Sequence, residues 1–196
     1  MIEETIKHYS ENSKLSLLIR HGDRDKIPEG SFGNEILLNE KGESNSLKFG
    51  ENLTGIKLNK ILTSPIKRCI QTAELIAKGY GKEIEIIETK ALGAPGLHIK
   101  DEKIAGEFFL QYGFDEMYYR FVNEIEIPGV PKALEFNESF TNHIIENSNQ
   151  NGLTIFVTHD MLIAFYHYTL NKKVYTKENW IKYLSGLILK EGKYEK

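Results

Sequence analysis

Cysteine and tryptophan occur once each in this chain of 196 residues, methionine three times and proline five times. Cys69, standing alone, forbids an internal disulfide and argues against a cysteine-based zinc site. No apolar run approaches the ~20 residues of a membrane-spanning helix. Residues 1–14 are too polar for the apolar segment of a secretory leader. An excess of one charge is also missing, since 25 Lys and Arg against 28 Asp and Glu leave a formal −3. That balance gives no electrostatic footprint for nucleic acid or an anionic membrane. The expectation is a cytoplasmic protein with neither as partner, in which any anion site is a local pocket of basic side chains. The sequence is silent on oligomeric state.

Apolar residues make up 40% and charged residues 27%, as in a globular protein. A chain of this length can bury roughly 70% of the surface its unfolded form exposes, enough for one well-developed core. The expected organisation is therefore a single domain, 1–196, with a helical cap insertion at about 88–151.

The most informative stretch is Leu15-Ser-Leu-Leu-Ile-Arg20-His21-Gly22-Asp23-Arg24. Its apolar half reads as a strand buried on both faces, hence parallel, because a strand with one wet face would alternate. Ligands of open α/β sheets sit just past the carboxyl ends of such strands, where Arg20, His21 and Arg24 stand ready for an anion. Gly22 lets the backbone turn and approach a ligand closely. A loop to about Leu38 follows, long enough to suggest a role. Asn39 can cap a helix from Glu40 to about Asn52, with Leu47 and Leu53 inward.

Lys60–Thr63 reads as a short strand, Ser64-Pro65 as the cap and first position of a helix, and Ile66, Ile70, Ala73 and Ala77 as its core stripe. Ile84–Ile87 is a third strand. A Gly/Pro-rich loop, 91–98, then leads into two or three helices rich in Phe and Tyr, expected to lie over the strand ends. Leu153–Val157 is another buried-type strand, ending in Thr158-His159-Asp160 and a helix, Met161–Leu170, that is apolar nearly all round. Tyr183–Leu189 is the last strand expected, Glu191–Lys196 a fraying tail and Met1–Ser13 a short helix or loose arm.

If the three strands are neighbours, one crevice receives His21, His159, Arg20, Arg24, Arg68 and Asp160. Arg68 lies in the first turn of its helix, and helical side chains lean back toward the N-terminus, here over the strand end. That is equipment for phosphoryl transfer: cations for the phosphate oxygens, a histidine to attack phosphorus, an acid for the departing oxygen.

R-H-G after the first strand, S-P-x-x-R at the second helix and T-H-D after the late strand, in that order, resemble the histidine phosphatase superfamily. The resemblance implies a three-layer α/β fold with a mostly parallel sheet and a helical insertion over the strand C-terminal ends. It implies His21 as a nucleophile passing through phosphohistidine, and Arg20, Arg68 and His159, with Gly22, as the phosphate pocket. The family has two proton-donor arrangements. One uses a glutamate in the loop after the third strand, where this sequence reads Ala91-Leu-Gly93-Ala94. The other uses the aspartate of an H-D pair with an added arginine, R-H-G-x-R, and both are here as Asp160 and Arg24. The implied activity is a phosphomonoesterase releasing phosphate from a small phosphorylated substrate, without metal or organic cofactor. A phosphoglycerate-type mutase and a non-catalytic phospho-ligand-binding module are the alternatives.

Plainer readings stand beside these. Asp160 can be a helix cap, and Arg24 a solvated loop charge. Asp23 and Asp25 with His21 suggest a metal site, which three nearby arginines oppose. Lys67 reads as exposed helix surface, and His8, His143 and His167 as surface or core histidines. His98, Asp101 and the Phe and Tyr residues of 108–121 can touch substrate or serve the insertion alone.

Overall fold

β1 (Lys14–Arg20) is buried from Leu15 onward and paired on both edges, which is why its sequence does not alternate. The structure, a computed structural model, describes residues 13–28 and 31–194, so His8 and most of the expected N-terminal arm lie outside the described residues. Five strands follow: β2 (Leu58–Thr63), β3 (Glu85–Glu88), β4 (Gly152–Thr158), β5 (Gly186–Lys190) and β6 (Lys193–Tyr194). They form one sheet in the order β3-β2-β4-β1-β5-β6. The first four are mutually parallel, and β5 and β6 return antiparallel. The α/β class and the mostly parallel sheet are as expected. The last strand starts at Gly186, later than Tyr183, and part of the expected tail pairs with it as β6.

Among the described residues five α-helices cover the sheet: α1 (Glu40–Asn52), α2 (Lys67–Tyr80), α3 (Glu102–Val122), α4 (Ala133–Asn147) and α5 (Asp160–Asn171). Alternation along each strand divides the core in two. Leu17, Ile19, Ile61, Ile155 and Val157 pack against α1 and α2. Leu18, Leu62 and Phe156 face α3, α4 and α5. The stretch 88–151 is divided likewise, with α4 giving Phe136, Phe140 and Ile144 to the second core while α3 borders the site described below. α3 is broken at Gly113, whose φ of 78° and ψ of −179° leave the helical region.

Three local readings need correction. The core stripe of α2 is Cys69, Ala73, Ile76 and Tyr80, one face round from the expected one, because Ile70 and Ala77 are only half-buried. Leu47 of α1 is half-buried too, and α1 meets α2 through glycines. A Cβ on Gly50 would lie 2.1 Å from Ile76 O, and one on Gly79 2.0 Å from Leu47 O. Ser64 does not hold the cap position of α2, which is Ile66; its hydroxyl accepts from Ile66 N at 3.3 Å just before the helix and also turns to the site. Asn39 does cap α1, accepting from Gly42 N at 2.9 Å.

Candidate active site

With β4 between β1 and β2, three chain segments leave the sheet side by side. His21 N donates to Thr158 O and Ser64 N to Val157 O, each at 3.0 Å, so His21, Ser64 and His159 start from one row. Arg68, in the first turn of α2, leans back over that row. Two histidines 138 positions apart thus come to 5.5 Å between ring centroids, tilted 67°.

His21 is 2% exposed. Its Nδ1 lies 2.8 Å from Gly22 O, so that nitrogen carries the proton and donates it. Nε2 is left with its lone pair, which accepts from Arg68 Nε at 3.0 Å. Burial, and after it the charge of Arg68, holds the imidazole well below its ordinary pKa, so it is neutral at neutral pH. Arg68 also donates to Gly33 O at 2.6 Å and lies 3.3 Å from His159 Nδ1. His159 Nε2 meets the Ser64 hydroxyl at 3.0 Å, and burial, followed by its coupling to the neighbouring His21 imidazole and the charge of Arg68, holds His159 well below its ordinary pKa as well.

Arg20 departs from expectation. The cavity wall includes His21, Arg24, Arg68, His159 and Asp160 but not Arg20. Its guanidinium donates to Ile181 O at 2.6 Å, lies 4.0 Å from the Tyr183 ring centroid and pairs with Asp160 Oδ2 at 2.8 Å. The same Asp160 oxygen accepts from Trp180 Nε1 at 3.0 Å, and Oδ1 accepts from Met161 N. Asp160 therefore opens α5 and faces the cavity at once. Gly22 is a correction. Its N–H goes to Thr72 Oγ1 at 3.0 Å, and a Cβ there would sit 2.6 Å from Ser46 Oγ, so this glycine serves close packing on α1. Arg24 reaches the cavity while donating to Asp25 O at 2.7 Å.

The cavity measures about 1100 Å³. Gly93, in the loop after β3, forms part of its wall. A Cβ at position 93 would lie 2.5 Å from Ser64 Oγ and 2.8 Å from His159 Nε2, so no glutamate fits without moving His159. Asp101 instead caps α3, accepting from Ile104 N at 3.0 Å. Asp23 is held by Lys41 at 2.7 Å and Asn45, and Asp25 by Asn39, so both fasten the loop to α1. Among the described residues no group of three or more His, Cys, Asp or Glu side chains is placed to hold a metal ion. Lys67 is exposed and paired with Glu35. His143 leans on Phe156, and buried His167 bonds Tyr175 OH.

His98 is 5% exposed, edge-on to Phe136 and Phe165, and Nδ1 is buried without a partner. Burial pushes its imidazole down to about 4 from 6.5. Between those values the unfolded chain binds a proton here that the folded chain does not, so stability is full above 6.5 and lost as pH falls toward 4. For His98 alone the loss is about 3 kcal/mol. The melting temperature of His98→Phe is expected to fall less steeply than wild type across that window; equal slopes contradict this account.

Trp180, Tyr183, Ser64 and Thr72 escaped the sequence reading. Each acts by touching another site residue across the fold, and only Ser64, inside S-P-x-x-R, carried a local signal.

The family model for the histidine phosphatase superfamily (branch 1) matches residues 16–93, which takes in R-H-G and S-P-x-x-R. A 2,3-bisphosphoglycerate-dependent phosphoglycerate mutase of Thermoplasma acidophilum is 27% identical over 150 residues, 74% of this chain and 70% of that protein. Among solved structures, a phosphoglycerate mutase from Bacillus anthracis superposes with a TM-score of 0.57 at 18% identity, covering 94% of this chain and 92% of the other. A phosphoserine phosphatase from Entamoeba histolytica, in complex with 3-phosphoglyceric acid, gives 0.56 at 18% identity, covering 90% and 89%. The matched segment carries two of the motifs and β4 brings the third beside them, so the chain is similar to the histidine phosphatase superfamily over that segment and shares the fold of these structures.

Proposed function

We propose that the protein is a phosphomonoesterase working through a phosphohistidine at His21, with no metal or organic cofactor. The observation that carries this reading is the state of His21: neutral, Nδ1–H fixed on Gly22 O, and Nε2 turned to Arg68 beside the cavity. Nε2 attacks phosphorus as the ester P–O bond breaks, and Asp160 gives its proton to the departing oxygen. Water then attacks the phosphohistidine, Asp160 takes back a proton, and the P–N bond breaks to release phosphate and neutral His21. Arg68, Arg24 and His159 surround the transferring oxygens, as pre-organised donors do in such transition states. Arg20 and Trp180 orient Asp160.

A mutase reading has one observation in its favour, the 27% identical relative. Against it stands Gly93, where a donor glutamate does not fit. The two part on the fate of the phosphoryl group. With labelled 3-phosphoglycerate or phosphoserine and excess glycerate, the phosphatase reading expects label only in inorganic phosphate. Label moved to another hydroxyl of glycerate establishes the mutase, and binding without turnover a non-catalytic module. The guanidinium groups supply the charge that a two-metal phosphatase takes from ions. Activity is therefore expected to survive exhaustive chelation and to be inhibited by vanadate. Loss with EDTA and recovery with a divalent cation would reverse this part.

A further inference from the structure

We infer that the ester this site takes carries a large apolar leaving group, an alkyl or aryl chain, in place of the compact charged one of phosphoglycerate or phosphoserine; this rests on the phosphatase reading. The cavity at about 1100 Å³ slightly exceeds the ~300–1,000 Å³ range that encloses drug-sized ligands, and a three-carbon phosphoester fills little of it. Polar groups gather at one end, around His21, Arg68, His159 and Asp160. From there the wall is largely apolar, with Phe109, Phe114, Met117 and Tyr118 from α3, Met161, and Trp180, which packs edge-on against Phe114 and Tyr118 at 5.0 and 5.2 Å between ring centroids.

A second anionic group on the substrate would find no built partner along that wall. Beyond the phosphate end the cations are Lys103 and Lys177, both at the exposed rim, and Lys177 is paired with Asp115 at 2.7 Å. Glu102 and Glu107 join Asp115 there, so the rim repels a carboxylate. His98, nearer the phosphate end, is a neutral imidazole. At the mouth, Phe32 from the loop after β1 stacks on Phe109 at 5.4 Å although Phe32 is 47% exposed. An apolar chain leaving the phosphate end would cover that exposed aromatic surface.

A series of n-alkyl phosphates isolates the effect, because beyond ethyl the leaving alcohols differ little in acidity while buried area grows. Each buried methylene is expected to raise kcat/KM by about fourfold, from ethyl to octyl phosphate, until the apolar stretch is filled. Octyl phosphate should outpace phosphoserine and 3-phosphoglycerate by more than tenfold, and Phe109→Ser should lower the octyl-to-ethyl ratio about tenfold. Affinities of the matching n-alkylphosphonates, measured by calorimetry, should rise with chain length whether or not turnover is seen. Hydrolysis without chain-length dependence, or a preference for phosphoserine or 3-phosphoglycerate, overturns the substrate class and leaves the phosphatase reading intact. Phosphonate affinities that rise with length, with no ester hydrolysed, overturn the phosphatase reading and keep the ligand class. Flat affinities overturn the class outright.

Discussion

His21→Ala is expected to lower turnover of every phosphomonoester by on the order of 10⁴- to 10⁶-fold, the scale seen when a covalent nucleophile is removed. The remaining groups still bind phosphate, so vanadate affinity should fall far less than activity. The imidazole makes few contacts a folded chain cannot replace: Gly22 O, Arg68 Nε, an edge-on meeting with His159 and a tilted one with Tyr183. The variant should therefore melt cooperatively, which separates lost chemistry from lost fold. Residual activity above about one part in a hundred contradicts a nucleophilic His21.

Asp160→Asn should cut the phosphorylation step with an alkyl phosphate by ~10²- to 10⁴-fold and cost much less with p-nitrophenyl phosphate, whose leaving group needs little protonation. Asparagine has a single acceptor oxygen, so it keeps one of the bonds from Met161 N and Trp180 Nε1, which go to different carboxylate oxygens, and it lacks the charge that pairs with Arg20. Because the proposed mechanism gives Asp160 the water step too, the comparison belongs in the pre-steady-state burst. Equal falls in both bursts exclude Asp160 as the leaving-group acid. The proton must then come from another source, since Asp101 is held as a helix cap, Glu88 is exposed and off the wall, and Glu102 stands at the exposed rim.

The pH dependence of the phosphorylation step follows from the state of His21. Only the neutral imidazole attacks, and its depressed pKa keeps it neutral as pH falls through 6.5.

What was legible in the sequence was what depends on local pattern. An uninterrupted apolar strand such as Leu15–Ile19 announces burial on both faces, and polar residues just beyond it announce a site at the strand end. The three motifs could be read together because a parallel sheet fixes which ends meet. Which face of α2 turns inward was not legible, because Ala, Cys and Ile at neighbouring positions satisfy more than one stripe. Gly22 misled for a similar reason: a glycine beside a candidate nucleophile reads as ligand contact, while here the close approach is to Ser46. The partners of Asp160 were hidden most deeply. Arg20 lies 140 positions before it and Trp180 20 after, and no periodicity links them until β1 and β4 pair and the chain beyond α5 folds back.

The central claim is that phosphate passes through His21, and trapping that intermediate tests it most directly. Wild-type protein mixed with labelled substrate, quenched within milliseconds in alkali and digested, is expected to carry the label on the peptide containing His21, stable to alkali and released by acid. A label on any other side chain, or phosphate released with no labelled protein under conditions that catch the burst, contradicts the account.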